Sequence, residues 1–239
     1  MKRMLDILLA AAALILFLPL GLAIMLVLRL TGEGEVFYVQ PRIGRGGRTF
    51  GLIKFATMLK NSPQLGTGTI TVRNDPRVLP VGRFLRKTKL NEVPQLINVL
   101  KGDMSLVGPR PLMPPTFAYY SPAVQAAIAQ VRPGLTGIGS IVFRDEESVL
   151  AHSGKPAAEC YREHIAPHKG ELEQWYIRHQ SLRLDVKLIL LTVVAVLFPR
   201  LRWHERALKG LPAPPPGLLP GAAIEAKEKP VIKTRQRAA

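Results

Sequence analysis

The sequence contains few of the features that mark secreted, redox-active or nucleic-acid-binding proteins. Cys160 is the only cysteine, so an intramolecular disulfide is excluded and nothing indicates an oxidising compartment. Aromatic residues make up only 6% of the chain, and we find no nucleic-acid recognition motif and no internal repeat. The glycine-rich turn at 44–47 lacks the G-x-G-x-x-G spacing and the following helix of a dinucleotide-binding fold. A nucleic-acid binder and a Rossmann enzyme are therefore disfavoured.

Acidic residues are also scarce. The 239 residues include 33 Lys or Arg against 17 Asp or Glu, which gives a formal net charge of +16. Residues 200–239 hold nine Lys or Arg and three Glu, so most of the excess lies in the body of the chain. Such a surplus suits phosphate-bearing ligands, an anionic lipid surface or nucleic acid, and composition alone does not choose among them.

An unbroken apolar run occupies residues 7–28. As a helix, these 22 residues would extend about 33 Å, which is long enough to cross a bilayer. No small-x-small cleavage site follows, so a signal peptide is disfavoured. Lys2 and Arg3 precede the run and Arg29 follows it, which draws both ends to the cytoplasm. Because Pro19 kinks the helix, a re-entrant path is favoured over a spanning one.

The remaining chain predicts a small α/β body and a tail. Two strands, over 36–39 and 49–55, flank a basic, glycine-rich turn. The apolar segment 188–198 is too short to span a bilayer and predicts an interfacial or buried helix. We therefore divide the chain into a membrane helix (1–30), a cytoplasmic body (31–200) and a basic, proline-rich, disordered tail (201–239). A basic helix or turn is predicted over 83–89, and helices are predicted over 91–101, 121–130, 146–151, 158–165, 170–180 and 184–198.

Residues 90–111 concentrate the candidate chemistry. Asn91 is predicted to cap a helix that Gly102 ends, and the helix start would offer free N–H groups to a diphosphate. Glu92 would hold a divalent metal bridging the diphosphate oxygens, although helix capping alone also explains this pattern. Pro109 and Pro111 restrain the backbone on both sides of Arg110, which fixes where its guanidinium points. A plain loop salt bridge is the alternative role for this arginine.

This segment resembles the signature of the bacterial sugar transferases, the monotopic phosphoglycosyl transferases that load a sugar phosphate onto a polyprenyl phosphate. Other motifs resemble the family in the same order, so the resemblance covers residues 2–198. These motifs are Lys2-Arg3-Met4-Leu5-Asp6, Gln40-Pro41-Arg42-Ile43-Gly44, Lys54-Phe55, Asn74-Asp75-Pro76-Arg77, Arg132-Pro133-Gly134-Leu135-Thr136-Gly137 and residues 176–192.

The resemblance implies an α+β, mainly helical fold, with a re-entrant N-terminal helix packed on a small body at the cytoplasmic face of a bacterial inner membrane. It implies transfer of a sugar-1-phosphate from a UDP-sugar to polyprenyl phosphate, with Mg²⁺ and release of UMP. That reaction would be the first membrane step of exopolysaccharide, capsule, O-antigen or glycoprotein glycan synthesis. Membrane lipids and downstream glycosyltransferases are the further partners expected, and nucleic acid is not.

Asn91 departs from the family pattern. In the family an Asp-Glu dyad attacks the diphosphate and binds magnesium, but Asn91 stands at the Asp position, and a neutral carboxamide cannot be that nucleophile. Three explanations remain open. The polyprenyl phosphate attacks directly while Glu92 holds the metal; another carboxylate, Glu92 or Asp103, is the nucleophile; or the protein is a catalytically silent homologue that binds nucleotide sugar or partner glycosyltransferases. Ala56 is a second departure, since an arginine is common there in relatives.

The candidate site residues divide by expected role. Glu92 is the expected metal ligand, Asn91 is the altered nucleophile position, and Asp103 is a supporting acid. The expected substrate and phosphate contacts are Arg42, Lys54, Asp75, Arg86, Arg110 and Arg132.

Overall fold

A computed structural model describes residues 1–66, 71–72, 74–198 and 206–218. The described chain is mostly helical with a few short strands, which confirms the predicted fold class at that level. In chain order its regular elements are α1 (Lys2–Leu30), β1 (Phe37–Ile43), β2 (Thr49–Phe55), α2 (Pro80–Lys87), α3 (Gln95–Lys101), β3 (Ser105–Val107), α4 (Pro114–Phe117), α5 (Pro122–Ala129), β4 (Gly134–Thr136), α6 (Ile138–Val142), α7 (Glu146–His152), α8 (Ala157–Cys160), α9 (Ala166–His179) and α10 (Leu182–Leu197).

Two strand pairs frame the body. β1 and β2 form the predicted hairpin, antiparallel from Phe37 opposite Phe55 to Ile43 opposite Thr49. The turn between them needs glycine, because Gly46 and Gly47 have φ angles of 72° and 71°. β3 and β4 pair in parallel, so the loop after β3 begins beside the end of β4, where the Gly108 N–H donates to the Thr136 carbonyl.

Helix α1 is long and apolar enough to cross a membrane by length and composition. Ala10 in its first half packs against β2 and α3. Ile24 and Leu28 near its other end pack against Phe55 and Leu85. Between these contacts, side chains from 15 to 22 are mainly exposed and apolar, and an aqueous surface does not favour such a patch.

Polar contacts fasten the first turns of α1 to the body. The buried Asp6 carboxylate accepts hydrogen bonds from Ser105 Oγ at 2.9 Å and from the Leu106 backbone N–H at 3.1 Å. Lys2 Nζ lies 2.6 Å from the carboxylate of Asp185 on α10. Arg3 donates to backbone carbonyls in the last turn of α3, where a cation also complements the helix dipole.

The main core lies between α9, α10 and the β3–β4 pair. Tyr176 is fully buried at its centre, and its hydroxyl donates to Asp185 at 2.7 Å. One face of α10 contributes Leu188 and Leu191 to the core, whereas the opposite face leaves an apolar stripe exposed. The predicted interfacial or buried helix is therefore buried on one side only. The exposed stripe consists of Val186, Leu190, Val193 and Leu197.

The prediction that Asn91 caps a helix is wrong. Lys89 adopts a left-handed conformation with φ 61°, and a short 3-10 turn over Leu90–Glu92 begins there instead. Helix α3 starts only after Pro94, which provides no side-chain cap, and Gly102 ends it at φ 94° as expected. Asn91 therefore points inward, with 5% of its surface exposed and no hydrogen-bond partner for Oδ1.

Part of the segment assigned to the tail packs against the body. Leu208 is buried in the main core, with Leu211 and Leu218 packed against it. These leucines bury apolar surface that the proline-rich composition of the segment does not reveal. The predictions for 199–205 and 219–239 lie outside the described residues.

Candidate active site

The centre of the candidate site is an ion pair between Glu92 and Arg110. Arg110 Nη2 lies 2.7 Å from Glu92 Oε1, and Nη1 lies 3.4 Å from Oε2. The side chains are 13% exposed for Glu92 and 30% exposed for Arg110, so the pair lies at the wall of an accessible site. The 3-10 turn positions the glutamate, and the proline-flanked loop after β3 positions the arginine.

The β1–β2 hairpin supplies two further cations. Gln40 and Arg42 are two residues apart on β1, so they share a face of the strand, and Lys54 lies diagonally opposite on β2. Gln40 Oε1 accepts from Arg42 Nη2 at 2.6 Å and contacts Lys54 Nζ at 3.4 Å. Arg42 also donates to the Pro111 carbonyl at 2.9 Å, which joins the hairpin to the loop that carries Arg110.

The charges of this cationic cluster (Arg42, Lys54, Arg110, Lys89 and Arg86, around Glu92) are not balanced. Burial raises the pKa of Glu92, but Arg110, Lys89 and Lys54 outweigh it and hold that pKa far below its ordinary value. Burial and the charge of Arg110 lower the pKa of Arg42 to about 10. Burial and the charge of Arg42 bring the pKa of Lys54 well below its ordinary value. The site therefore holds an ionised carboxylate among crowded cations, which favours binding of an anion.

Arg86, in the last turn of α2, lies at the edge of this cluster. Its guanidinium contacts Glu147 Oε1 at 3.3 Å, and its charge lowers the pKa of Lys54. Glu147 is 46% exposed, so the pairing is open to solvent and weak. Arg86 is therefore available to a ligand at the edge of the site.

The other three predicted site residues have partners elsewhere. Asp75 is buried and accepts from Arg77 Nε at 2.8 Å and Nη2 at 2.5 Å. Asp103 accepts from Asn98 Nδ2 at 3.2 Å, just beyond the C-terminal end of α3. Arg132 donates to the Gly102 carbonyl at that same end. Glu92 lies before the seven-residue helix α3, whereas Asp103 and Arg132 lie at its far end. About 10 Å of helix therefore separates these two residues from Glu92.

Two residues of this region, Gln40 and Glu173, were not predicted from the sequence as site residues. Gln40 links Arg42 to Lys54, and the only signal for it was its place in the Gln40-Pro41-Arg42 motif. Glu173 on α9 is 4% exposed and lies close to Arg110, which is 63 positions earlier in the chain. Its local sequence is that of an ordinary charged helix, so no sequence signal marked it.

The donor set fits a magnesium ion held jointly with a phosphorylated substrate. Among the residues that the structure describes, no group of three or more His, Cys, Asp or Glu side chains could hold a metal without other ligands. Magnesium is commonly held by one or two carboxylates, with water and substrate phosphates as its other ligands. Glu92 is ionised, and the adjacent Asn91 Oδ1 is a buried oxygen with no hydrogen-bond partner in the part of the chain that the structure describes. These two residues suit such a shared site.

Together, the apolar helix fastened to the body and the cationic cluster define a class: a protein with a helix suited to a membrane and a site whose charge favours an anion. The family model described as "Bacterial sugar transferase" matches residues 1–199. The chain therefore belongs to the bacterial sugar transferase family.

Similar proteins agree with this assignment. The exopolysaccharide production protein ExoY of Rhizobium meliloti is 34% identical over 213 residues, which cover 83% of this chain and 86% of ExoY. A UDP-glucose:undecaprenyl-phosphate glucose-1-phosphate transferase of Caulobacter vibrioides is 38% identical over 200 residues, covering 82% and 69% of the two chains. A protein of the same description in Escherichia coli is 36% identical over 198 residues, covering 81% of this chain but only 39% of its own length.

Proposed function

We propose that this protein transfers a sugar-1-phosphate from a UDP-sugar to a polyprenyl phosphate such as undecaprenyl phosphate and releases UMP. The reaction would be the first membrane step in the assembly of an exopolysaccharide or related glycan. The observation that carries the proposal is the unbalanced cationic cluster around Glu92, which a diphosphate would neutralise. The names of the relatives support the two substrates.

The site residues bind and orient the two phosphorylated substrates. Arg42, Lys54 and Arg110 contact the diphosphate of the donor, and Arg86 neutralises charge at its edge. Magnesium, when bound by Glu92 with Asn91 Oδ1 close by, supplies further positive charge to the phosphate oxygens. Neutralisation of this kind lowers the repulsion that an attacking phosphate anion meets.

We favour direct attack by the polyprenyl phosphate. A phosphate oxygen of the lipid forms a bond to the phosphorus that carries the sugar, and the bond from that phosphorus to the bridging oxygen breaks, so UMP leaves. Glu92 is a poor nucleophile because Arg110 engages both of its oxygens. Asp103 lies beyond the far end of α3 and is bound to Asn98. The neutral Asn91 amide, in contrast, does not repel an incoming anion.

The membrane arrangement that we propose is a re-entrant α1 with the body at the cytoplasmic face. Both ends of α1 contact the body, through Asp6 at one end and Leu28 at the other. The exposed apolar stretch between them would enter the lipid from one face and return to it. The exposed apolar stripe of α10 would lie along the same membrane surface.

A second candidate function rests on Asn91. A neutral amide at the nucleophile position is also what a silent homologue would carry, one that binds nucleotide sugar or partner glycosyltransferases without turnover. Because the cationic cluster is otherwise formed, such a protein would still bind a UDP-sugar. Binding therefore does not separate the two candidates, and turnover does.

The test measures UMP release from a panel of UDP-sugars by the purified protein in nanodiscs with polyprenyl phosphate and Mg²⁺. We expect lipid-dependent release that is lost in Glu92→Gln. Asp103→Asn is the matched control, because it neutralises a nearby acid that lies outside the cluster, and we expect it to retain release. Binding of UDP-sugar without release, restored by Asn91→Asp, would establish the silent homologue instead.

A further inference from the structure

Glu173 is a buried carboxylate that lies close to Arg110. It lies on α9 and is 4% exposed. Among the described residues its Oε2 has no hydrogen-bond partner, and its Oε1 is so close to Gly139 that a Cβ there would lie 2.4 Å away. The backbone N–H of Arg110 faces this carboxylate. An acid in such a position is costly to ionise, because burial removes water and little replaces it.

The groups around Glu173 compensate its charge only in part. Lys169 is one helical turn earlier on α9, but its ammonium group pairs with Glu146. Tyr120 and Tyr176 lie near Glu173, and burial raises the pKa values of their hydroxyl groups, so both remain neutral; the Tyr176 hydroxyl is already bonded to Asp185. Arg110 contributes its backbone N–H and its positive charge, but its guanidinium is committed to Glu92.

We propose that Glu173 is a positioning and charge-compensating residue that becomes more fully protonated when a diphosphate ligand binds to Arg110. The proton comes from the solvent and goes to the unpartnered Oε2. The proposal deepens the proposed function, because it rests on the same diphosphate site. A protonated Glu173 leaves the full positive charge of Arg110 to the ligand.

Electrostatics determines the direction of this coupling. Burial raises the pKa of Glu173 to about 7, against the opposing effects of Arg110 and Lys169. The residue is therefore part-protonated at neutral pH, where a small change in its surroundings changes its charge. A bound diphosphate adds negative charge and offsets that of Arg110, so it raises the pKa further. A rise of about one pKa unit makes binding at pH 6 about fivefold tighter than at pH 8.

The test is calorimetric binding of UDP-glucose without acceptor lipid, in buffers of different ionisation enthalpy. The diphosphate of UDP-glucose has no titratable proton between pH 6 and pH 8, so any uptake belongs to the protein. We expect a fractional proton uptake near pH 7 that Glu173→Gln reduces together with the pH dependence of Kd; the part that remains belongs to Lys54, whose pKa is also lowered and which contacts the ligand. Glu171→Gln is the matched control, because Glu171 lies on the same helix with 61% of its side chain exposed.

The outcomes distinguish failure of the Glu173 role from failure of the proposed function. Proton uptake that persists undiminished in Glu173→Gln, with an unchanged pH dependence of Kd, overturns the role of Glu173 and leaves the proposed function intact. Absence of UDP-glucose binding in all three chains overturns the inference, and with UMP release missing for every UDP-sugar it overturns the proposed function too. Matching melting temperatures for the variants show that the binding data report folded protein.

Discussion

Replacing Lys54 with methionine should stabilise the protein and weaken ligand binding at the same time. Lys54 Nζ and Arg42 Nη2 contact the same Gln40 oxygen at 3.4 Å and 2.6 Å. The two positive charges are therefore at most about 6 Å apart, and their repulsion at an effective dielectric constant of about 20 is about 3 kcal/mol. Attraction to Glu92 offsets part of this, so we expect Lys54→Met to gain about 1–2 kcal/mol in free energy of unfolding.

The ligand should respond in the opposite direction. A hydrogen bond to a charged group contributes about 1.5–3 kcal/mol, so loss of the Lys54 contact should weaken UDP-sugar binding about 10- to 100-fold. The stability gain should also shrink as pH rises. The pKa of Lys54 is well below the ordinary lysine value in the folded protein and close to it in the unfolded chain. Between these two values the folded lysine has lost its proton and the unfolded one has not, so the wild type becomes more stable as pH rises.

Thermal unfolding and calorimetric binding on the same samples measure both effects. Lys87→Met is the matched control, because it removes the same charge from an exposed position at the end of α2. We expect the control to change neither quantity by more than about 0.5 kcal/mol. A lower melting temperature for Lys54→Met would show that Lys54 and Arg42 do not destabilise the fold by repulsion. An unchanged Kd would show that Lys54 does not contact the ligand.

Three further predictions address the rest of the molecule. Asp75→Ala should lower stability by about 3–5 kcal/mol, seen as a lower Tm, because it removes the carboxylate of a buried ion pair with Arg77; a drop in kcat at temperatures where the variant is folded would instead place Asp75 in the site. In a Cys160→Ala background, single cysteines at Lys2 and Thr31 should both react with a membrane-impermeant thiol reagent from the cytoplasmic side only, and labelling from opposite sides would establish a spanning helix. Asn91→Asp should permit trapping of a radiolabelled phosphosugar on the protein, whereas trapping on the unmodified chain would exclude direct attack.

Local patterns in the sequence predicted much of the fold. The hairpin followed from two apolar strands around a glycine-rich turn, and both strands form. The end of α3 followed from Gly102, since glycine alone adopts its left-handed conformation without strain. The start of α3 did not follow. An Asn-x-x-Pro sequence satisfies helix capping in isolation, but the left-handed Lys89 turns the chain earlier and directs Asn91 inward.

The candidate site was also predictable only in part. Arg42, Lys54, Glu92 and Arg110 come together in space, and motif order with the flanking prolines was enough to select them. Asp75 and Arg132 carried the same kind of motif signal, yet their side chains are engaged by Arg77 and by the Gly102 carbonyl. Glu173 could not have been found, because its burial depends on how α9 packs against the distant loop at Arg110.

The most direct test of the central claim is detection of the lipid product. The protein in nanodiscs would be incubated with polyprenyl phosphate, Mg²⁺ and each UDP-sugar, and the extracted lipid analysed by mass spectrometry beside the Glu92→Gln variant. We expect a lipid that gains the mass of one sugar phosphate, with one UMP released per lipid product. The variant should form neither the modified lipid nor UMP. Unmodified lipid with every UDP-sugar that the protein binds, or UMP released without a lipid product, would contradict it.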